Sequence, residues 1–101
     1  MVVILWEYQI HPHLEQAFLS WYRSDGTWAQ FFAQSDHYLG TEFYRSEDKP
    51  NTYVTIDKWR NREAYDAFLS SNAKHYAEFD ARCEQFTVKE TLIGYYHDAA
   101  T

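Results

Sequence analysis

Asp57 is one of three side chains in this sequence, with His37 and His75, that could do acid–base work. It lies in Tyr53-Val54-Thr55-Ile56-Asp57-Lys58-Trp59, whose β-branched and aromatic content reads as a strand. The two-residue period puts Tyr53, Thr55, Asp57 and Trp59 on one face. A carboxylate set among rings loses hydration and its pKa rises, which suits it to take a proton from a phenol or an enolisable ketone. The competing assignment is a strand-end Asp paired with Lys58, Arg60 or Arg62. His37, beside Tyr38, and His75, beside Tyr76, are further candidate bases or heme ligands. Each is equally a solvent-facing or capping histidine. His11 and His13 flank Pro12, and two loop imidazoles without a third ligand read as surface residues, so no metal site is assigned. Cys83 reads as a small apolar residue buried on a helix.

The chain of 101 residues carries four Trp, nine Tyr and seven Phe, more rings than Leu, Ile and Val combined. Such a core has flat walls and polar tips, which suits a pocket as well as a packed interior. The candidate walls are Trp6 and Tyr8 on the first strand, Trp21, Trp28, Phe32 and Phe68 on helices, and Tyr53 and Trp59 beside Asp57. A small aromatic or apolar ligand fits between them; alternatively, the rings simply fill the core. Nine basic residues against fifteen acidic ones give a net charge of −6. That balance excludes sequence-independent nucleic-acid binding and docking on anionic lipid. A single cysteine excludes an intrachain disulfide, and no apolar stretch approaches the roughly 20 residues that span a bilayer. The apolar start, Met1 to Trp6, is short, lacks a basic lead and runs into Glu7, so a cytoplasmic protein is expected. No glycine-rich phosphate loop is present, and neither flavin nor nicotinamide is indicated.

Sparse punctuation sets the elements that must position these residues. Val2–Ile10 reads as a strand with apolar residues at the start of both faces. Pro12 opens a helix whose stripe is Leu14, Ala17, Phe18, Trp21 and Tyr22. Ser24-Asp25-Gly26 interrupts it, and Thr27-Trp28-Ala29-Gln30 has the capping-box pattern of a second, short helix. Leu39–Ser46 and Thr52–Lys58 form a hairpin around the turn 47–51. Asn61 caps a helix bearing Tyr65, Phe68 and Leu69, Ser70-Ser71-Asn72 breaks it, and Ala73, Tyr76, Phe79 and Cys83 continue its face. Phe86–Tyr96 is the last strand, before a short tail over 98–101. The order is βαββαβ, a single α+β domain of ferredoxin-like type with a four-stranded antiparallel sheet and its helices on one face. The second apolar face calls for a second copy of the chain, hence a homodimer with the two sheets facing each other.

Leu39-Gly40-Thr41-Glu42-Phe43-Tyr44-Arg45-Ser46, the stretch Tyr53 to Trp59, and Glu63-Ala64-Tyr65-Asp66-Ala67-Phe68 together resemble the antibiotic biosynthesis monooxygenase superfamily. The resemblance covers about residues 2–97 and implies a dimeric α+β barrel. It also implies a cofactor-independent monooxygenase acting on a small quinol or polyketide-like aromatic, with Trp59 matching one functional position by its place in the strand. Non-catalytic ligand-binding or dimerising modules and heme-binding proteins share the fold and are the alternatives. The heme-degrading members carry an Asn on the first strand, and a Trp then a His on the second helix. Here those positions fall near Trp6, Phe68 and His75, so two of the three residue types are missing.

Overall fold

The computed structural model describes residues 1–99. The chain runs β1 (Val2–Ile10), α1 (Glu15–Tyr22), α2 (Thr27–Phe32), β2 (Tyr38–Arg45), β3 (Thr52–Trp59), α3 (Arg62–Ser71), α4 (Ala73–Cys83) and β4 (Thr87–His97), with single 3-10 turns at Pro12–Leu14 and Glu84–Phe86. The expected tail over 98–101 is described only for Asp98 and Ala99; its last two positions lie outside the described residues. All strand pairs are antiparallel and the sheet order is β2-β3-β1-β4. This is the ferredoxin-like α+β arrangement expected from the element order.

Local chemistry explains the breaks. The Asn61 side chain accepts a hydrogen bond from the Ala64 N–H at 2.8 Å and so starts α3. At Asn72 the backbone leaves helical geometry, and the Asn72 side chain donates to the Phe68 carbonyl at 2.9 Å, dividing α3 from α4. The capping box expected at Thr27 and Gln30 is not formed. Gly26 occupies the cap position, where a Cβ would lie 2.7 Å from the Ser20 carbonyl oxygen, and Gln30 instead donates to the Asp25 carbonyl.

One face of the sheet meets the helices. Val2, Ile4, Tyr8 and Ile10 of β1 and Tyr53 and Trp59 of β3 are buried there. The core divides into two ring-rich clusters. One centres on Trp59, Phe31, Phe32, Tyr65 and Phe68, the other on Phe18, Tyr8, Tyr22, Tyr53 and Phe86. Trp6 and Trp28 pack against both and bridge the seam. Most ring pairs meet edge-on or tilted, as at Phe32–Trp59 and Tyr8–Phe18, while Phe18–Tyr22 and Trp28–Phe32 stack.

Register shifts alter the alternation, one in β2 and two in β4. In β2 the register against β3 steps from Tyr38↔Trp59 to Gly40↔Lys58, leaving Leu39 as the extra residue. The step puts Tyr38 and Thr41 on the same helix-facing side although they are three apart. In β4 the partner of β1 jumps from Gly94 to Leu92. The first bulge needs Gly40, whose φ of +116° is closed to side chains with a Cβ although the space around it is empty. Gly40→Ala is therefore expected to cost about 1–3 kcal/mol through backbone strain alone, read as a lower urea midpoint at unchanged slope.

Candidate functional site

The helix-facing side of the sheet alternates unevenly. Along β3 the side chains run Tyr53, Thr55, Asp57, Trp59, large at the ends and short in the middle. Their neighbours on β2, by register, are Phe43 opposite Thr55 and Thr41 opposite Asp57. Rings stacked over the ends cannot settle onto the short middle, and a hollow remains there. Its floor is Thr41, Thr55 and Asp57. Trp6, Tyr8, Tyr22 and Trp28 form one set of walls, and Phe32, Tyr65 and Tyr76 close the other side. Arg23, Glu90 and Asp80 stand at the solvent-exposed mouth. The space between the walls, counting solvent at the mouth, is about 520 Å³, of which about 40 Å³ admits the centre of a water molecule. That is narrow: a cavity of about 150 Å³ holds a benzene, so a flat ring enters this slot from its open mouth only as the wall side chains move apart.

Asp57 is the chemical centre of this slot. Thr41 Oγ1 donates to Asp57 Oδ1 at 2.6 Å, and the Tyr38 hydroxyl makes a short hydrogen bond to the same Thr41 oxygen. Thr41 has one hydrogen and gives it to the carboxylate, so Tyr38 is the donor of the second bond. The chain of hydroxyls leads from the carboxylate out along the β2 edge. Burial pushes the Asp57 carboxyl up to about 6, and the Thr41 hydrogen bond opposes that rise. None of the ion pairs among the described residues involves Asp57. Lys58 pairs with Glu42 at 3.6 Å and Arg62 with Asp66 at 3.1 Å, while the Arg62 guanidinium lies 3.7 Å from the centre of the Tyr95 ring. The paired strand-end carboxylate considered from sequence is not the arrangement found.

The surrounding phenols stay protonated. Burial raises Tyr8, Tyr22 and Tyr65 far above the ordinary tyrosine range, and raises Tyr76 to about 12. Around neutral pH they offer O–H donors without charge. Thr55 Oγ1 donates to the Tyr8 oxygen at 3.4 Å. Trp28 Nε1 is enclosed with no acceptor among the described residues. No three His, Cys, Asp or Glu side chains among the described residues group as metal ligands.

A model of the antibiotic biosynthesis monooxygenase family matches residues 1–82. The chain belongs to that family. The solved structures similar to this monooxygenase-family chain include SnoaB from Streptomyces nogalater, described as a cofactor-independent oxygenase, in a single-substitution mutant form. It is 19% identical, over 99% of this chain and 94% of that one, with a TM-score of 0.74. A conserved protein from Methanosarcina mazei Go1 is 16% identical over 97% and 92%, with a TM-score of 0.72. An uncharacterised NIPSNAP domain protein from Burkholderia xenovorans is 13% identical over 99% and 96%, with a TM-score of 0.67. No curated protein sequence matches the chain. At these identities the structural likenesses establish the fold.

In this family member the slot brings together Asp57, Trp6, Tyr8, Trp28 and Phe32 of the residues singled out from sequence. It does not bring in the others. Trp59 is fully buried between Phe32, Tyr38, Tyr65 and Phe68. Phe68 packs in the same cluster. Tyr53 stacks on Phe43 and donates to Glu15 at 2.7 Å. Trp21 lies against Phe79, with Arg82 5.3 Å from its ring centre. His37 and His75 are exposed and line no part of the slot. His37 offers its backbone carbonyl to the Arg60 N–H at 3.0 Å, joining the strand ends of β2 and β3. Cys83 is buried, and burial raises its thiol to about 11.

Sequence reasoning missed Thr41, Thr55, Tyr22, Tyr65 and Tyr76, and the mouth residues Arg23, Asp80 and Glu90. Thr55 was within reach, since it shares a face with Asp57. Thr41 required the bulge at Leu39, which pattern alone does not disclose. The mouth residues meet only through tertiary structure.

A carboxyl near 6 in the folded chain and near 3.9 in the unfolded one binds more protons when folded across that interval. Its contribution to stability therefore falls as pH rises from about 4 to 6. Asp57→Asn is expected to stabilise the fold by up to about 3 kcal/mol above that interval and to gain nothing below it. Thermal denaturation of both proteins across the pH range checks this.

Proposed function

We propose that this protein is a cofactor-independent monooxygenase that oxygenates a small, electron-rich aromatic in the slot, with Asp57 as the base. The observation carrying the proposal is a half-buried carboxylate that desolvation raises to about 6, held by one hydroxyl on the floor of a ring-walled cavity. The family membership and the likeness to an oxygenase structure support it.

A substrate such as an anthrone or quinol enters with its ring between the aromatic walls. Asp57 takes a proton from the acidic C–H or O–H, and the Tyr38–Thr41 hydroxyls steady the carboxylate. The resulting carbanion or phenolate passes one electron to O₂, and the substrate radical and superoxide recombine with formation of one C–O bond. At a CH₂ carbon the peroxide takes up the proton and loses water, leaving C=O; both oxygen atoms of O₂ are accounted for, one in the product and one in the water. The slot excludes bulk water, and the tyrosine hydroxyls donate to the developing oxyanion. Trp59 contributes by packing behind the wall.

The working unit in this reading is a homodimer, and its single buried thiol accords with a cytoplasmic setting. The support for the dimer is the sheet face turned away from the helices. Val3, Leu5, Val54 and Ile56 lie at its centre, and Tyr44 and Tyr96, each 50% exposed, flank them. A second copy laid sheet to sheet covers these side chains.

Oxygen consumption with an anthrone is expected to rise with pH through an apparent pKa near 6. Asp57→Asn is expected to lower kcat/KM by about 100-fold or more. Thr41→Val removes a bond to the charged carboxylate, so the rising limb moves to higher pH. Uptake unchanged in Asp57→Asn rejects the assignment of the base. Sedimentation velocity is expected to give a species of twice 12.1 kDa, converted to monomer by Ile56→Lys on the open sheet face.

A further inference from the structure

We infer that the ligand of this slot is an aromatic carrying a positive charge, an aryl-alkyl ammonium or amidinium, with its ring among the aromatic walls and its cationic group at the mouth beside Asp80 and Glu90. The inference rests on the reading of the slot as a ligand site and adds the charge class of the ligand.

Three observations support it. The slot is lined by three carboxylates, Asp57, Asp80 and Glu90, against one guanidinium, Arg23. Arg23 shares its charge with Asp25, whose Oδ1 lies 3.0 Å from its Nε in a solvent-exposed pair. Neither Asp80 nor Glu90 has a cationic partner within ion-pair distance among the described residues. The mouth thus holds two acids without an ion-pair partner among the described residues, against one arginine. Glu90 is exposed yet partly desolvated, and this, with the negative charges of Asp80 and Glu84, holds it above the usual carboxylate range.

The walls add to the same preference. Indole and phenol faces carry negative potential, and a cation near them is attracted, whereas a carboxylate or phosphate is repelled. Trp6, Trp28, Tyr22 and Tyr76 all contribute to the slot that Asp80 and Glu90 rim. A protein of net charge −6 reinforces this on approach, drawing cations in and slowing anions. An aromatic carboxylate would meet two unpaired acids with only a shared arginine to offset them.

The test compares three naphthalenes substituted at the same ring position: a neutral naphthol, a naphthylmethylammonium and a naphthoate. Binding to the intact protein is measured by calorimetry at neutral pH and low salt. The ammonium is expected to bind at least about tenfold more tightly than the naphthoate, with the naphthol between them. The ratio of the two charged probes is expected to collapse towards one in Asp80→Asn/Glu90→Gln and to shrink with added salt. Glu47→Gln/Asp48→Asn removes two charges from the exposed β2–β3 turn, outside the slot, and is expected to keep the ratio. Should the double variant fail to fold, Glu90→Gln alone gives the same readout, since Glu90 stands at the surface. Naphthoate binding as tightly as the ammonium overturns the inference, as does a ratio that ignores Asp80 and Glu90. Absence of binding by all three probes rejects the slot as a ligand site, and the inference falls with it.

Discussion

Rings pack well against rings and badly over short polar side chains. Across the middle of the helix-facing sheet surface this protein places Thr41, Thr55 and Asp57, with Trp59 and Tyr53 at the ends of the same strand. Aromatic side chains from α1, α2, α3 and α4 arrive above them and stop on the larger neighbours. Two ring clusters form, and the hollow between them is spanned by Trp6 and Trp28. The same mismatch sets the chemistry. A carboxylate at the bottom of such a hollow has few polar atoms around it, so burial outweighs the single Thr41 hydrogen bond and its proton affinity rises. Size mismatch in the core and basicity at the floor have one origin.

The two faces of the sheet divide the work. One face carries the two ring clusters, the hollow and the helices. The other is left with Val3, Leu5, Val54 and Ile56, flanked by Tyr44 and Tyr96, which no helix or strand among the described residues covers. β4 holds the edge beside β1, and Val88, Leu92, Ile93 and Tyr96 remain exposed along it. A long apolar edge beside an apolar face is a hazard for a lone chain. A partner laid on that surface removes the hazard and leaves the slot on the opposite side free to open to solvent.

The architecture was legible in the sequence because each element announced itself through a distinct physical signal. The alternation in Val2–Ile10, the Asn61 cap and the break at Ser70-Ser71-Asn72 all act locally. Asp57 was legible for the same reason: one strand period placed it among rings. Trp59 and Phe68 were less legible, since a ring on the right face can fill the interior or face a cavity, and only the heights of its neighbours decide. Trp59 lies at 0% exposure because Phe32, Tyr38, Tyr65 and Phe68 close around it. Thr41 depended on one extra residue, Leu39, which shifts β2 by one step and brings Tyr38, Thr41 and Asp57 into a line. A bulge of one residue leaves little trace in composition beyond a glycine able to take a positive φ.

The acidic lining of the slot bears on how an anionic intermediate can form there at all. In the proposed reaction, proton transfer from substrate to Asp57 conserves the charge within the cavity: the carboxylate becomes neutral as the substrate becomes the anion. The negative charge moves from the floor to the ring, nearer or farther from Asp80 and Glu90 according to how the substrate lies. With a neutral substrate the two mouth acids oppose any shift towards them, and only Arg23, shared with Asp25, pulls the other way. With a cationic substituent at the mouth, the acids are paired before the reaction begins, and the anion forms on a molecule whose other end is positive. The same carboxylates that disfavour an anionic ligand then hold a zwitterionic intermediate in place. Recognition at the mouth and deprotonation at the floor thus become one electrostatic arrangement along the length of the slot.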